Sequence, residues 1–509
     1  MRIYSESLQR AHGRSFTQDR HHGGVVRDSF QTLTPFLALI LMSCDVCRAQ
    51  NQGVPSLPNI VIIYADDLGY GDLGCYGDQP SVTPRLDGLA KQGARFTDFY
   101  SAQPVCSASR AALLTGCYPN RIGIAGALSP LQNYGLSHKE TTLAQLLKQK
   151  NYATAIYGKW HLGHHPDFLP ATFGFDDYFG LPYSNDMSPL PANNPRADAK
   201  KNFPPLPLIQ GTKVIETEPD QSKLTTWYTE RAVKFIDDKH DQPFLLYVPH
   251  TMPHVPLYVS DKFAGKTGRG LYHDVLAEID WSVGQILDAL ERHQLSDRTL
   301  VIFSSDNGPW KLFGNHAGSA GPLRESKATV YEGGIRVPCI ARWPGHVPAN
   351  KVIREPAIMM DWFPTIARLT GTKLPQHPID GRDLWPLLTE KGAKAPHESL
   401  YFYYHDSQLQ AMRTGRWKMF FPHEVVSTEE IELGRDGMPG TNSKRKIGIE
   451  LYDLVDDIGE QHNVAETHAE VVASLQKQAD AMREELGDRL QKKTGKGVRP
   501  HEEYPPTAK

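Results

Sequence analysis

Four short runs of apolar, largely β-branched residues constrain this chain most, because each breaks off into polar residues of a chemically pointed kind. The run Asn59 to Tyr64 ends in Asp66 and Asp67, and Leu300 to Phe303 is followed by Ser304, Ser305, Asp306, Asn307 and Gly308. Thr154 to Tyr157 gives way to Gly158, Lys159, Trp160 and His161, and Phe244 to Val248 to a loop carrying His250 and His254. Continuous apolar runs of this length fit strands buried on both faces of a parallel sheet. In an open α/β sheet, ligands collect beyond the carboxyl ends of the strands. The residues at these four breaks are therefore the first candidates for chemistry.

Adjacent carboxylates such as Asp66 and Asp67 repel each other unless a cation or a raised pKa intervenes. An isolated Asp-Asp is more often a helix cap or turn pair. Its echo in Asp306 and Asn307 changes the balance: three carboxylates and one amide oxygen from two strand ends make a hard oxygen site, suited to Ca²⁺ or Mg²⁺ and ill suited to zinc. Lys159 with His161 alone would pass for a solvated turn. A single loop histidine is usually a polar surface residue, although histidine can donate a proton at physiological pH.

A fifth stretch, Cys106 to Gly116, packs a thiol, two hydroxyls and a guanidinium into five residues, then runs into Ala111, Ala112, Leu113 and Leu114, which favour helix. That places Cys106 at or just before a helix N-terminus, where backbone N–H groups and the dipole favour negative charge. A lone cysteine is commonly a small buried hydrophobe, but Ser107, Ser109 and Arg110 make a poor apolar pocket.

Cys106, Ser107, Ala108, Ser109 and Arg110 with Leu114, Thr115 and Gly116 resemble the signature of type I sulfatases, in which the cysteine is oxidised to formylglycine. Most members carry Pro where this chain has Ala108. Further blocks fall in the family's order: Gly158 to Gly163; Leu181 to Asp186, which looks like the arylsulfatase A group; and Lys327 ahead of Tyr331 to Pro338. The similarity runs from about Pro58 to the end of the chain. It implies an alkaline-phosphatase-like fold, a mixed and largely parallel sheet sandwiched by helices.

The resemblance also implies roles. Cys106, once oxidised by a formylglycine-generating maturation enzyme, would be nucleophile and metal ligand, with Asp66, Asp67, Asp306 and Asn307 completing a shell around Ca²⁺, Mg²⁺ being the second choice. Lys159, Ser184, His254 and Lys327 would bind sulfate. Arg110 would steady the aldehyde hydrate, His161 would assist its deprotonation, and His254, preferred to His250, would protonate the leaving group. Arg336 is expected to be a structural ion-pair partner. The implied reaction is sulfate-ester hydrolysis, with sulfated saccharides as the first candidate substrates and sulfolipids and small aryl sulfates as the alternatives. Two rivals stand beside it: a phosphate or phosphonate monoester hydrolase of the alkaline phosphatase superfamily, and a catalytically silent sulfoglycan-binding protein.

The expected organisation is a leader at 1–50, a catalytic domain at 56–395, a small C-terminal α+β subdomain with an antiparallel sheet and a helix at 396–487, and a disordered tail at 488–509. Pro35 to Met42, preceded by Arg27, reads as a signal-peptide h-region too short to span a membrane. Export to the periplasm or cell exterior follows, by cleavage after Ala49 or by lipid attachment at Cys44, where Leu41 to Cys44 resemble a bacterial lipobox. No later segment is apolar enough to cross a bilayer. Cys75, Cys106, Cys117 and Cys339 are too few for a disulfide scaffold. The formal net charge of -3 gives no reason to expect a nucleic-acid partner. Leu271 to Leu295 reads as an amphipathic helix with Val275, Ile279, Val283, Ile286 and Leu290 inward and Asp274, Glu278 and Asp280 on a solvated flank. Pro189 to Pro219 reads as an extended surface segment, and Gly434 to Lys446 as a mobile loop.

Overall fold

The four apolar runs lie side by side. Thr299–Ser305, Asn59–Ala65, Phe244–Pro249 and Ala153–Tyr157 are successive parallel neighbours at the centre of a ten-stranded sheet, and Asp177–Gly180 extends the parallel set. The flanks turn antiparallel: Cys339–Arg342 and Ala94–Phe96 on one side, Pro207–Gln210 and Lys213–Thr217 on the other. This computed structural model describes residues 57–190, 194 and 196–505. The leader readings at Arg27, Pro35 to Met42, Cys44 and Ala49 lie outside them.

Register decides where the polar breaks go. Ala65 pairs with Ser305, Tyr64 with Pro249, and Ile156 with Tyr247. The strands therefore end nearly level, so Asp66, Asp306, His250 and Lys159 emerge along one edge of the sheet. Alternation along Asn59–Ala65 sends Ile60, Ile62 and Tyr64 into one core and Val61, Ile63 and Ala65 into another. The first core is roofed by Cys106–Thr115, Leu143–Lys148 and Trp362–Thr370, the second by Pro84–Lys91, Leu224–Lys239 and Leu271–Arg292. Each such side chain contributes roughly 1.5–3 kcal/mol on burial.

In Leu271–Arg292 the five expected apolar residues are buried, but so are Asp274, Glu278 and Asp280, against expectation. Each carboxylate accepts from backbone N–H groups of another segment: Asp280 from Arg85 and Leu86 at the start of Pro84–Lys91, Glu278 from Ser260, Asp274 from Gly265 and Thr267. Hydrogen bonds to otherwise orphaned donors make the burial tolerable.

Ser399–Tyr404, Gln408–Thr414, Trp417–Phe420 and Glu450–Asp453 form a separate four-stranded antiparallel sheet, backed by the helix Ala469–Leu486. Its Leu400, Phe402, Met412 and Met419 join the same core cluster as Ile60 and Ile62. The extended surface segment expected at 189–219 contains a strand pair, and two expectations of loose chain are corrected. Pro207–Gln210 and Lys213–Thr217 pair at the sheet edge. Within 434–446, Gly434 and Gly440 donate to the Leu312 carbonyl, and Ser443–Ile447 is a strand paired with His423–Ser427. Residues 488–505 are also held: Arg499 donates to both oxygens of Glu140, and Glu502 and Glu503 pair with Gly135 and Tyr134. In 434–446 and 488–505 the composition is polar, and pairing with another segment supplies the order. Cys75, Cys106, Cys117 and Cys339 are all unbridged. Among the described residues no helix is long and apolar enough to cross a membrane.

Candidate active site

Cys106 is the first residue of the helix Cys106–Thr115, entered from an extended Val105 at φ −151° and ψ 152°. The thiol is buried, and burial pushes its pKa up, with Lys159 and Lys327 pulling the other way. An oxygen of Asp66, an oxygen of Asp306 and the Cys106 sulfur all lie within 4.8 Å of one another. Ligand atoms of Asp66, Asp67 and His254 are equally close.

The acid cluster is tightly wired. The Asp67 backbone N–H donates to Asp306 Oδ1 at 3.1 Å, and Asn307 Nδ2 donates to Asp67 Oδ1 at 2.7 Å. Arg110 donates through Nε and Nη2 to Asp306 Oδ2 at 3.1 and 2.8 Å, while its Nη1 reaches the Lys159 carbonyl at 3.0 Å. Lys159 Nζ donates to Asp66 Oδ2 at 2.6 Å and to Ser184 Oγ at 3.1 Å. Lys327 Nζ sits 2.6 and 2.9 Å from the two oxygens of Asp67 and lies over the Trp310 ring at 4.6 Å. Burial opposes ionisation of Asp66, but Lys159 and Arg110 outweigh it and hold that carboxyl well below the usual range. Burial and the charge of Asp66 push Asp306 up to about 7 against the pull of Arg110.

Two oxygens in this web have no partner: Asp66 Oδ1 and Asn307 Oδ1, both fully buried. Orphaned buried acceptors are rare and costly. A carboxylate and an amide oxygen, unpartnered and beside two more carboxylates, fit a hard oxygen-seeking cation.

Backbone conformation is unusual at the same places. Asp67 and His161 have φ of 65° and 62°, a left-handed region uncommon for non-glycine residues. Gly158, at φ 140°, allows the loop of Lys159 to hug the neighbouring strand, since a Cβ there would lie 1.9 Å from the Pro249 carbonyl oxygen.

The histidines separate clearly. His161 Nε2 lies 2.8 Å from the Leu128 carbonyl, which makes Nε2 the protonated nitrogen, and its Nδ1 is buried without a partner. Burial, Lys159 and Arg110 hold its pKa far below the usual value, so the ring is neutral. His254 Nδ1 meets the Val255 carbonyl at 2.5 Å, leaving Nε2 3.6 Å from Asp67 Oδ2. Burial and Lys327 lower its pKa. His250 points away, its Nε2 3.3 Å from Ser282 Oγ under the neighbouring helix. Arg336 pairs with Asp98 and Glu332 at 2.9 and 3.1 Å, outside the cluster. Sequence reasoning missed Trp310, whose ring lies tilted 5.5 Å from His254, and the partly buried pair Asp186–Lys200 at 2.8 Å. The run Leu181 to Asp186 was a signal for Asp186; nothing local marks the other two.

Residues 58–372 match the family model described as Sulfatase, and residues 325–485 match that of the N-sulphoglucosamine sulphohydrolase C-terminal region. The chain is 40% identical to arylsulfatase A of Homo sapiens, covering 84% of this chain and 88% of that protein. It is 39% identical to N-acetylgalactosamine-6-sulfatase of Mus musculus over 80% of this chain and 79% of that one. Among solved structures, the PsFucS1 sulfatase from Pseudoalteromonas superposes with a TM-score of 0.74 at 28% identity, covering 84% of this chain and 91% of that chain.

Proposed function

Because this chain belongs to the sulfatase family, and is on that footing a sulfuric ester hydrolase, we propose that it cleaves sulfate esters of saccharides at residue 106, using a formylglycine made from Cys106 and a bound Ca²⁺, with Mg²⁺ as the second candidate. The observation that carries this reading is the pair of unpartnered oxygens, Asp66 Oδ1 and Asn307 Oδ1, set among Asp67, Asp306, Cys106 and two lysines. Asp66, Asp67, Asp306, Asn307 and residue 106 would hold the ion. When bound, a divalent cation supplies Lewis-acid stabilisation of negative charge without proton bookkeeping. A formylglycine hydrate supplies one hydroxyl to attack sulfur and a second through which sulfate is expelled.

The rest falls to the chain's own groups. Asp66, Asp67 and Asp306 are matched in number by Lys159, Lys327 and Arg110, so a divalent ion leaves the site net positive, as an anionic sulfuryl group requires. Lys159, steadied by Ser184, and Lys327, steadied by Trp310, supply fixed charge where sulfuryl oxygens gain it. Arg110 holds Asp306 and the Lys159 carbonyl in place and lies at the start of the helix that carries residue 106. His161 is neutral with a free Nδ1, the state in which it can take a proton from the attacking hydroxyl. His254 presents Nε2 and donates a proton to the leaving oxygen; a bound sulfate would raise its pKa by adding negative charge nearby. Export rests on the leader sequence, including the choice between cleavage at Ala49 and lipidation at Cys44.

Turnover of an aryl sulfate and an aryl phosphate, measured side by side, tests the reaction. Dominant sulfate cleavage is expected. Dominant phosphate cleavage would favour a phosphomonoesterase, and no turnover with retained sulfoglycan binding would favour a binding protein. Peptide mass spectrometry of active protein is expected to show an aldehyde at position 106; full activity with a plain thiol would overturn the proposed nucleophile.

A further inference from the structure

Beside the catalytic cluster lies a cavity of about 560 Å³ that the sulfate-binding residues do not account for. Its walls continue directly from them: Asn185 follows Ser184, and Val255 and Pro256 follow His254. The cavity therefore adjoins the loops that carry Ser184 and His254. Its volume falls in the range of about 300–1,000 Å³ that accommodates small organic ligands.

The lining is mixed in the way a sugar requires. Tyr258, partly exposed, offers aromatic surface, against which the C–H face of a pyranose can pack. Asn185 is 1% exposed and donates through Nδ2 to Gln221 Oε1 and the Pro256 carbonyl, but its Oδ1 has no partner. A buried acceptor of this kind is a ready match for a sugar hydroxyl. The two cations on the wall differ. Lys200 is spoken for by Asp186, whose carboxyl is held low, against burial, by His254 and Lys200. Arg196 lies over Phe313, 5.7 Å from the ring centroid, and makes no ion pair with a described residue.

We propose that this cavity binds the saccharide portion of the substrate, with Asn185 accepting from a ring hydroxyl and Arg196 reading a second anionic group on the sugar, either another sulfate or a uronate carboxylate. This rests on the reading of the chain as a saccharide sulfatase, and adds the recognition of a leaving alcohol that itself carries an anionic group. A planar guanidinium can take either anion through paired hydrogen bonds.

The test uses the full-length protein carrying Cys106→Ala, which binds without turnover, and calorimetric titration with three disaccharides. One carries a single sulfate, one carries two, and one carries one sulfate and a uronate. The two doubly charged ligands are expected to bind at least about tenfold more tightly than the first, and the preferred one identifies the anion. Adding Arg196→Ala is expected to erase the preference, and Arg196→Lys to keep part of it. Equal affinities in the parent, or a preference that survives Arg196→Ala, would overturn the proposal. Adding Asn185→Leu is expected to weaken all three ligands alike. Turnover of a small aryl sulfate by the unmutated protein stands apart from this test: its absence would count against the sulfatase reading, while the titrations would still report on the cavity.

Discussion

At the carboxyl edge of the large sheet, Asp66, Asp67 and Asp306 meet Lys159, Lys327 and Arg110; at the seam with the C-terminal sheet, Asp98, Glu332 and Glu460 meet Lys418, Arg336 and Arg413. Both groups are buried, and both balance three acids with three bases. At the seam the pairing closes on itself. Glu332 accepts from Lys418 at 2.8 Å, Arg336 at 3.1 Å and Tyr100 at 2.7 Å, and Asp98 accepts from Arg336 and Arg413 at 2.9 and 2.7 Å. Glu460 Oε1, poorly angled for a hydrogen bond, still lies 2.8 Å from Lys418 Nζ. At the sheet edge Asp66 Oδ1 and Asn307 Oδ1 make no hydrogen bond, and a thiol and two histidines crowd in. Buried charge is thus no mark of function. Acceptors left over after the pairing is done are what separate a reactive site from a structural clasp.

That contrast can be broken experimentally, most severely at residue 106. Cys106→Ala is expected to lower sulfate-ester turnover by about 10⁴-fold or more, while the melting temperature changes little; retained turnover would place the nucleophile elsewhere. Asp306→Asn is expected to cost about 10²–10³-fold in kcat, again with a modest change in melting, because it relieves repulsion with Asp66. Lys418→Met should do the reverse. It leaves Glu332 and Glu460 facing each other without their shared cation, at a cost of about 3–5 kcal/mol of stability by chemical denaturation, with turnover per folded molecule unchanged. A silent Lys418→Met would show that the seam is no clasp.

The smallest effect concerns pH. Burial pushes Glu460 up to about 7, despite Lys418, while Glu332, although burial opposes it, is brought down to about 2 by Lys418 and Arg336. A raised carboxyl binds its proton more tightly when folded, so its contribution is present below the ordinary glutamate range and fades as pH rises through about 7. Glu332 contributes with the opposite sign, present above the ordinary range and lost only as pH falls towards about 2. Glu460→Gln is therefore expected to flatten the decline of stability between about pH 5 and pH 8, by an amount on the order of 1–2 kcal/mol, as read from denaturation midpoints at several pH values. An unchanged slope would contradict the raised carboxyl.

Much of the reactive region was legible in the chain because strands buried on both faces leave an unmistakable apolar run, and the polar residues that break it must surface at the strand end. Asp66, Asp306, Lys159 and the loop of His254 all announce themselves this way. The seam left no such trace: Lys418 lies 86 residues from Glu332, and neither sits in a run that betrays its partner. Asp274, Glu278 and Asp280 read as solvent-facing because the backbone donors that claim them belong to distant segments. Trp310 and Lys200 were invisible for the same reason, since a ring contact or a single ion pair has no periodicity. The ordering of 488–505 likewise depends on Glu140 and Gly135, hundreds of residues earlier in the chain.

The claim that leftover oxygens mark a cation site is tested most directly by elemental analysis of the purified protein after dialysis against Ca²⁺ and Mg²⁺ at low concentration. About one divalent ion per chain is expected in the unmutated protein and in Lys418→Met, and none in Asp306→Asn or Asp66→Asn. Metal-free protein that turns over sulfate esters at the full rate, or an ion retained after both aspartates are replaced, would contradict it.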